Sequence, residues 1–232
     1  MTIAKKLALL VAVAASIAAL PDSAARAAGS GSMSMPSVPV REQSPEEMAK
    51  TAYNAGVRQL RKAASYEEDA AKATKPEKQQ KARDRAKSAY EKALEQFETA
   101  VEHSPAMHEA WNYIGFAQRH LGRYDSALSS YERALGLKPG FPEAVEYRGE
   151  AYLGLNRLED ARKAYMDLFG GSRELAAQLL TAMQSYVADR RKAPNGIDPQ
   201  ALETFAQWVD ERATIAQQTA SLDTGATNSS WR

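Results

Sequence analysis

Small and aromatic residues recur along the middle of this 232-residue chain at a constant offset of 34 positions. Eight pairs match at that offset, and they are Tyr90/Tyr124, Ala93/Ala127, Phe97/Tyr131, Ala100/Ala134, Pro105/Pro139, Gly115/Gly149, Ala127/Ala161 and Tyr131/Tyr165. A fixed period of this length indicates a repeat architecture, because each unit is too small to bury its own apolar face and must stack on its neighbours. This constraint narrows the choice of fold more than any other feature of the sequence.

The segment 110–139 resembles one complete tetratricopeptide repeat, which is a pair of antiparallel helices. The residues that carry the resemblance are Trp111, Ile114, Gly115, Gly122, Tyr124, Ala127, Tyr131, Ala134 and Pro139. One position departs from the family pattern, since Gln118 stands where a Tyr is usual. In this pattern Gly115 and Ala127 are expected to let the two helices approach closely, while Tyr131 fills the space towards the next hairpin.

The following unit keeps most of the same pattern through Gly149, Tyr152, Ala161 and Tyr165, and departs at Val145, Asn156 and Leu168. Asn156 occupies the turn position, where it is able to adopt the left-handed backbone conformation that Gly favours. The resemblance implies an all-α fold, a short right-handed solenoid of about three helical hairpins with C-terminal capping helices. It divides the chain into repeats at 108–141 and 142–175 and a cap at 176–220, which covers the apolar end of the stack.

A degenerate first unit at 44–107 precedes these repeats and is longer than they are. Its start is marked by Ser44, Pro45 and Glu47, the pattern of a helix capping box with Pro at the first helical position. If Gly56 takes the role of Gly115, the unit holds 25 extra residues between about 63 and 89, which predicts an extended hairpin with a second capping box at Thr74. A competing alignment makes residues 64–73 the second helix of a short repeat.

The first 27 residues have the layout of a secretory signal peptide. Lys5 and Lys6 precede an apolar run at 7–20 that is too short to span a bilayer as a helix, and small residues lead to a cleavage site after Ala27. An uncleaved membrane anchor is the alternative. We therefore expect an exported, periplasmic protein with a flexible leader at 28–43 and a disordered tail at 221–232.

Composition excludes several kinds of chemistry. The chain has no Cys, so disulfides, thiolate metal sites and Cys nucleophiles are absent. The three histidines, His103, His108 and His120, are spaced too far apart along predicted helices to converge on a metal and are expected on the surface. No sequence motif for catalysis or cofactor binding is present, and 30 basic against 29 acidic residues give no global reason to bind nucleic acid. We predict a protein without enzyme activity, cofactor or metal.

In the family that the repeats resemble, the first helix of each hairpin lines a concave groove that binds a partner. Carried over by register, the groove positions of this chain are Lys50, Tyr53, Asn54, Val57, Asn112, Tyr113, Phe116, Glu146, Tyr147 and Glu150. Aromatic and amide side chains suit an extended segment or amphipathic helix of another protein. The family branch that clamps a C-terminal carboxylate has bases where this chain has Glu146 and Glu150, so a basic or neutral partner segment is expected.

Three alternatives stay open at the level of sequence. Tyr113 and Phe116 could simply pack between helices. The stretch 72–92 carries eight bases against three acids, so it could bind an anionic polymer or lipid head groups of the envelope. Self-association through the cap helices around Trp208 is a third alternative.

Overall fold

The computed structural model describes residues 43–226, with side chains up to residue 219, and this part of the chain is α-helical without strands. The predicted signal peptide and nearly all of the predicted leader lie outside the described residues. The helices are α1 (Pro45–Lys72), α2 (Pro76–His103), α3 (His108–His120), α4 (Tyr124–Leu137), α5 (Pro142–Gly154), α6 (Leu158–Gly171), α7 (Arg173–Lys192) and α8 (Pro199–Ala226). Because α8 ends at Ala226, residues 221–226 of the predicted tail are helical.

Successive helices pair into four hairpins that stack in chain order. The first helices of neighbouring hairpins contact one another, α3 with α5 and α5 with α7, and each second helix contacts the first helix of the next hairpin. One continuous hydrophobic cluster runs from Ala52 in α1 to Val209 in α8. The all-α solenoid with an extended first hairpin and C-terminal capping helices is therefore confirmed.

The first hairpin starts as the sequence predicts. The backbone N–H of Glu47 donates to Ser44 Oγ at 3.2 Å, and the backbone N–H of Ser44 donates to Glu47 Oε2 at 3.0 Å, which completes the capping box. Helix α1 then continues without a break to Lys72, so residues 64–73 extend it instead of forming a second short helix. Each helix of this hairpin has 28 residues, about 42 Å of helix against about 20 Å in the repeats that follow.

The predicted capping box at Thr74 is wrong. Lys75 is the N-cap of α2, and its side chain makes no capping hydrogen bond. Pro76 occupies the first helical turn, and this places the cap one residue later than Thr74. The long hairpin, residues 63–89, is called the arm below, because both of its helices continue past the ends of the neighbouring repeat.

The cap closes the stack through contacts to α5 and α6. Leu179 of α7 packs on Gly149, and the ring of Trp208 on α8 meets Tyr165 of α6 edge-on at 5.4 Å. Asn156, at the turn between α5 and α6, has φ 58°, which confirms the left-handed conformation expected of it. Its side chain reaches the cap, since Tyr186 Oη donates to Asn156 Oδ1 at 2.7 Å.

Candidate functional site

The predicted groove residues of α1 share one face of the helix. Lys50, Tyr53, Asn54 and Val57 follow the spacing of three, four and seven residues that places side chains on one side of a helix. Lys50 and Asn54 are exposed, while Tyr53 and Val57 are half-buried. These four residues, called the Tyr53 face below, form the part of the predicted groove that solvent reaches most readily.

Tyr53 packs on two aromatic side chains of the neighbouring helices. The centre of the Tyr53 ring lies 5.7 Å from that of Phe97 on α2 and 5.8 Å from that of Tyr113 on α3, and the Phe97 and Tyr113 rings stack at 5.2 Å. Burial, with lesser contributions from Tyr113 and Glu109, raises the pKa of Tyr53, and burial raises the pKa of Tyr113 to about 12. Both phenols are therefore neutral at physiological pH, and Tyr53 presents a partly exposed ring that its neighbours hold in place.

Five of the ten predicted groove residues lie in the interior. They are Asn112, Tyr113, Phe116, Glu146 and Tyr147, with 0 to 7 % of each residue exposed. Phe116 meets the Tyr147 ring edge-on at 5.0 Å and lies 6.3 Å from the Tyr90 ring, so it joins α2, α3 and α5. The structure thus places Tyr113 and Phe116 between helices, as in the alternative left open by the sequence, because the first helices of these hairpins approach closely.

Glu150 forms an ion pair with Arg119, a residue that the register-based prediction did not include. The guanidinium of Arg119 lies over the Phe116 ring at 5.3 Å and the Tyr147 ring at 5.7 Å. Burial lowers the pKa of Arg119, but Glu150, Tyr131 and Glu146 outweigh this effect and the pKa is raised. Arg119 follows Phe116 by three residues, and this spacing would have placed it on the same face of α3.

His120 is not the free surface residue that the sequence predicted. Its ring stacks on Tyr90 at 4.4 Å, and Nδ1 lies 3.3 Å from Glu67 Oε1 of the arm. Tyr90 Oη also donates to Glu67 Oε1, at 2.8 Å. Burial chiefly, and then Arg119, lowers the pKa of His120. The repeat pattern could not predict the contact between His120 and Glu67, because Glu67 belongs to the inserted arm.

Two further acids border the Tyr53 face. Glu109 of α3 has a half-exposed side chain, and Glu143 of α5 is partly exposed. Their charges act on the tyrosines of this region, since Glu109 contributes to the raised pKa of Tyr53 and both acids contribute to that of Tyr113. The surface around Tyr53 is therefore aromatic with a negative border on α3 and α5.

The eight bases of the stretch 72–92 are all exposed. Lys72 pairs with Glu68 four residues before it, at 2.6 Å, and the guanidinium of Arg85 lies 5.8 Å from the centre of the Tyr66 ring. Within residues 43–226, no group of three or more His, Cys, Asp or Glu side chains is arranged to hold a metal ion. No helix in the same part of the chain is long and apolar enough to cross a bilayer.

Part of the chain matches a known repeat family. Two matches to the tetratricopeptide repeat family model cover residues 82–142 and 117–169. No curated protein matches the chain in sequence.

Solved tetratricopeptide-repeat structures are similar to this chain at low identity. The second such domain of human RPAP3, in complex with the HSP70 peptide SGPTIEEVD, is 15 % identical, with a TM-score of 0.40, over 57 % of this chain and 95 % of that one. The TPR2B domain of yeast Sti1 in its pHsp70 complex is 12 % identical, with a TM-score of 0.37, over 71 % and 98 %. The first such domain of Spaghetti (RPAP3), bound to the HSP90 peptide SRMEEVD, is 22 % identical, with a TM-score of 0.37, over 54 % and 94 %.

Proposed function

We propose that the protein is a non-catalytic interaction module, because residues 82–169 match the tetratricopeptide repeat family model. It binds a segment of another protein on the inner side of the stack, where the first helices of the hairpins lie. The binding surface is the Tyr53 face together with its acidic border at Glu109 and Glu143. We further propose that the N-terminal 27 residues direct export and that the protein works in the periplasm.

The observation that carries this proposal is the half-buried ring of Tyr53. Phe97 and Tyr113 hold that ring in one orientation, so little conformational freedom is lost when a partner packs on it. Aromatic residues of this kind dominate the binding energy of protein interfaces. Val57 adds apolar surface one turn further along α1, and Lys50 and Asn54 supply exposed polar groups at the edge.

Charge sets the kind of segment that fits. Glu146 is buried and Glu150 is paired with Arg119, so the negative charge open to a partner is that of Glu109 and Glu143, which border the Tyr53 face. Acids in these places repel a C-terminal carboxylate and attract a basic side chain. The partner segment is therefore basic or neutral, with an apolar or aromatic residue that packs on Tyr53.

The remaining predicted groove residues act through packing in this proposal. Asn112, Phe116, Glu146 and Tyr147 are buried between α3 and α5, and they fix the relative positions of these two helices. Their substitution would alter the whole domain, whereas substitutions at the exposed Lys50 and Asn54 of the Tyr53 face would leave the packing unchanged. This difference decides where a probe is best placed.

Photo-crosslinking in intact cells tests the proposal. A crosslinking residue at Asn54, which is exposed beside Tyr53, is expected to give one dominant adduct with another protein. The same residue at Ser129, exposed on α4, serves as the control. Tyr53→Ala in the Asn54 probe chain should reduce the adduct about tenfold or more, as expected for loss of an interface anchor.

Three outcomes would contradict the proposal. Equal adducts from Asn54 and Ser129 would remove the case for a defined surface. Adducts with a second copy of the chain alone would show self-association instead of partner binding. An adduct that Tyr53→Ala leaves unchanged would move the binding surface elsewhere.

Export has its own test. N-terminal sequencing of the protein recovered from the periplasmic fraction is expected to start at Ala28. A chain that keeps Met1 in the membrane fraction would instead support the uncleaved anchor, and a chain that keeps Met1 in the cytoplasm would contradict export.

A further inference from the structure

We propose that the arm and the turn of α2 that follows it carry a membrane-docking edge that binds anionic phospholipid head groups. The surface consists of Lys75, Lys78, Lys81, Arg85 and Lys92, called the basic edge below. It is separate from the Tyr53 face and does not depend on the function proposed for that face.

The five bases lie along one side of the hairpin. From Lys78 to Lys92 the intervals are three, four and seven residues, which keeps the side chains of α2 in one row about 21 Å long. Lys75, in the turn before α2, continues the row towards the tip. All five residues are exposed, and among the described residues no carboxylate oxygen lies within 4.0 Å of their side-chain nitrogens.

The basic edge faces away from the rest of the stack. Tyr90 of α2 points towards α3, because its ring contacts Phe116 and His120. Arg85 precedes Tyr90 by five residues, and the two side chains are therefore about 140° apart around the helix. Arg85 instead lies over the Tyr66 ring of α1. A flat surface can reach this edge without meeting the repeats.

One row of acidic residues on α2 lies apart from the basic edge, while the exposed Glu77 and Glu95 border that edge, four residues before Lys81 and three residues after Lys92. Asp84, Glu91 and Glu98 follow one another at intervals of seven residues and form their own exposed row. Three other bases of the arm, Lys72, Arg83 and Lys87, are exposed but lie outside the basic edge. Five of the eight bases between residues 72 and 92 therefore lie on one side of α2 and the turn before it, although the whole chain is nearly neutral.

The shape of the basic edge favours a lipid surface over other anionic partners. A protein interface needs anchor side chains that become buried in a pocket, and this edge offers extended, flexible side chains on a straight helix. Single-stranded nucleic acid needs exposed aromatic rings for stacking, and the Tyr66 ring is half-buried beneath Arg85. Anionic lipid head groups need only aligned charge, and each base near such a surface strengthens binding about fivefold.

Vesicle co-sedimentation with the full chain tests this proposal. Phosphatidylglycerol and phosphatidylcholine in equal amounts form the anionic vesicles, and phosphatidylcholine alone forms the neutral ones. Lys81→Gln/Arg85→Gln removes two charges from the basic edge, and Arg83→Gln/Lys87→Gln removes two charges of the same kinds outside it. Both variants keep residues 1–27 and are checked for unchanged helix content by circular dichroism.

The expected result is a loss of roughly 25-fold in affinity for anionic vesicles with the first variant, from two bases at about fivefold each. The matched variant should lose less than threefold, and neutral vesicles should show no difference between the chains. Raising the salt concentration should weaken the binding of the unchanged protein and reduce the gap between variants.

Other results would overturn the proposal. Equal losses in the two variants would show that total charge, not the basic edge, drives binding. Full binding by both variants would assign the membrane contact to another part of the chain. Binding of soluble polyglutamate that needs Lys81 and Arg85, without binding to anionic vesicles, would make an acidic protein segment the partner.

Discussion

Gly56 and Gly115 set the distance between the paired helices of the first two hairpins. A Cβ atom at Gly56 would lie 2.7 Å from the Phe97 ring, and one at Gly115 would lie 2.6 Å from the Tyr131 ring. Both rings are fully buried, so neither can move aside at low cost. Gly56 therefore does take the role of Gly115. The third hairpin differs, because Gly149 faces Leu179 of the cap.

Gly115→Ala is expected to destabilise the protein by about 1–3 kcal/mol, because the added methyl group overpacks a closed core. Gly136→Ala is the matched control, since that position is also helical and has open space around its Cβ. The control should stabilise the protein by up to about 1 kcal/mol through its higher helix propensity. Urea denaturation measures both changes, and similar midpoints for the two variants would contradict the close contact at Gly115.

Asn156 combines a backbone role with a side-chain role. Its φ of 58° suits the turn between α5 and α6, and its side chain accepts from Tyr186 and donates to the carbonyl oxygen of Asn195. A Gly at this position would give the same turn without either bond. Asn156, which departs from the repeat pattern, thus links the last repeat to the cap through its side chain.

Substitutions at Asn156 separate these two roles. Asn156→Gly keeps the turn and should cost about 1–2 kcal/mol through the lost hydrogen bonds. Asn156→Ala should cost about 1 kcal/mol more, because Ala is strained in the left-handed region. Asn195→Gly is the control, since its φ is also positive, at 47°, and its side chain makes no hydrogen bond among the described residues. Thermal denaturation measures whether Asn156→Ala is less stable than Asn156→Gly, and equal stability of the two variants would contradict the left-handed strain at this position.

At the scale of elements, the arm is joined to the second hairpin through a buried polar contact. His120 of α3 meets Glu67 of α1 and Tyr90 of α2, and its neighbours Arg119 and Glu150 form an ion pair beside it. This contact lies about three turns beyond Gly56, where an ordinary repeat would already have turned back. The arm is thereby held against the stack along part of its added length.

This contact predicts a loss of stability in mild acid. Because the pKa of His120 is lowered in the folded protein, the unfolded chain takes up its proton first, from its ordinary pKa of 6.5 downwards. The contribution of His120 is therefore complete above about pH 7 and declines as the pH falls through 6.5 towards the folded-state pKa. The slope from one such group is at most about 1.4 kcal/mol per pH unit.

Urea denaturation at pH 7.5 and pH 5.5 measures this effect. His120→Gln should reduce the difference in unfolding free energy between the two pH values, since Gln does not titrate. Part of the difference should remain in that variant, because burial also lowers the pKa of His108, and adding His108→Gln should reduce it further. A His120→Gln variant with the full pH dependence of the unchanged protein would contradict a buried, neutral His120.

At the scale of the whole molecule, the fold followed from the sequence because its repeat is a local pattern. The offset of 34 residues marks where each pair of helices recurs. The capping box at Ser44 and the Pro–Asn–Gly stop at 194–196 each mark a helix boundary within a few residues. The cap was also predictable, since α7 and α8 carry apolar residues at helical spacing without the second-helix pattern of the family. Each of these features predicts the local structure of its segment without knowledge of contacts to distant segments.

The candidate site was less predictable because burial depends on how closely the hairpins stack. The register correctly puts Phe116 and Tyr147 on the first helices of their hairpins, and their side chains are nonetheless covered by neighbouring helices. Arg119 pairs with Glu150 and Glu67 contacts His120 across neighbouring hairpins, and a repeat pattern does not predict contacts of this kind. Only α1, which has no preceding hairpin among the described residues, keeps an aromatic groove residue partly open, at Tyr53.

The cap helices contribute to the cooperative folding of the whole stack. Leu179, Met183, Phe205 and Val209 of the cap are essentially fully buried, and together they contribute on the order of 6–12 kcal/mol. The total stability of a domain is about 5–15 kcal/mol, so a chain that ends after Gly171 should fail to fold cooperatively. A chain that ends after Ala226 is the control and should unfold like the full protein.

A point substitution tests the same coupling without removing helices. Leu179→Ala should destabilise the protein by about 2–5 kcal/mol, because it opens a cavity against Gly149. Met166→Ala, at an exposed position on α6, should change stability by less than about 0.5 kcal/mol. Since neighbouring hairpins stabilise one another through their shared interfaces, Leu179→Ala should lower hydrogen-exchange protection in α5 as well as in α7. Loss of protection confined to α7 and α8 would instead show that the cap unfolds independently and that the repeats are stable without it.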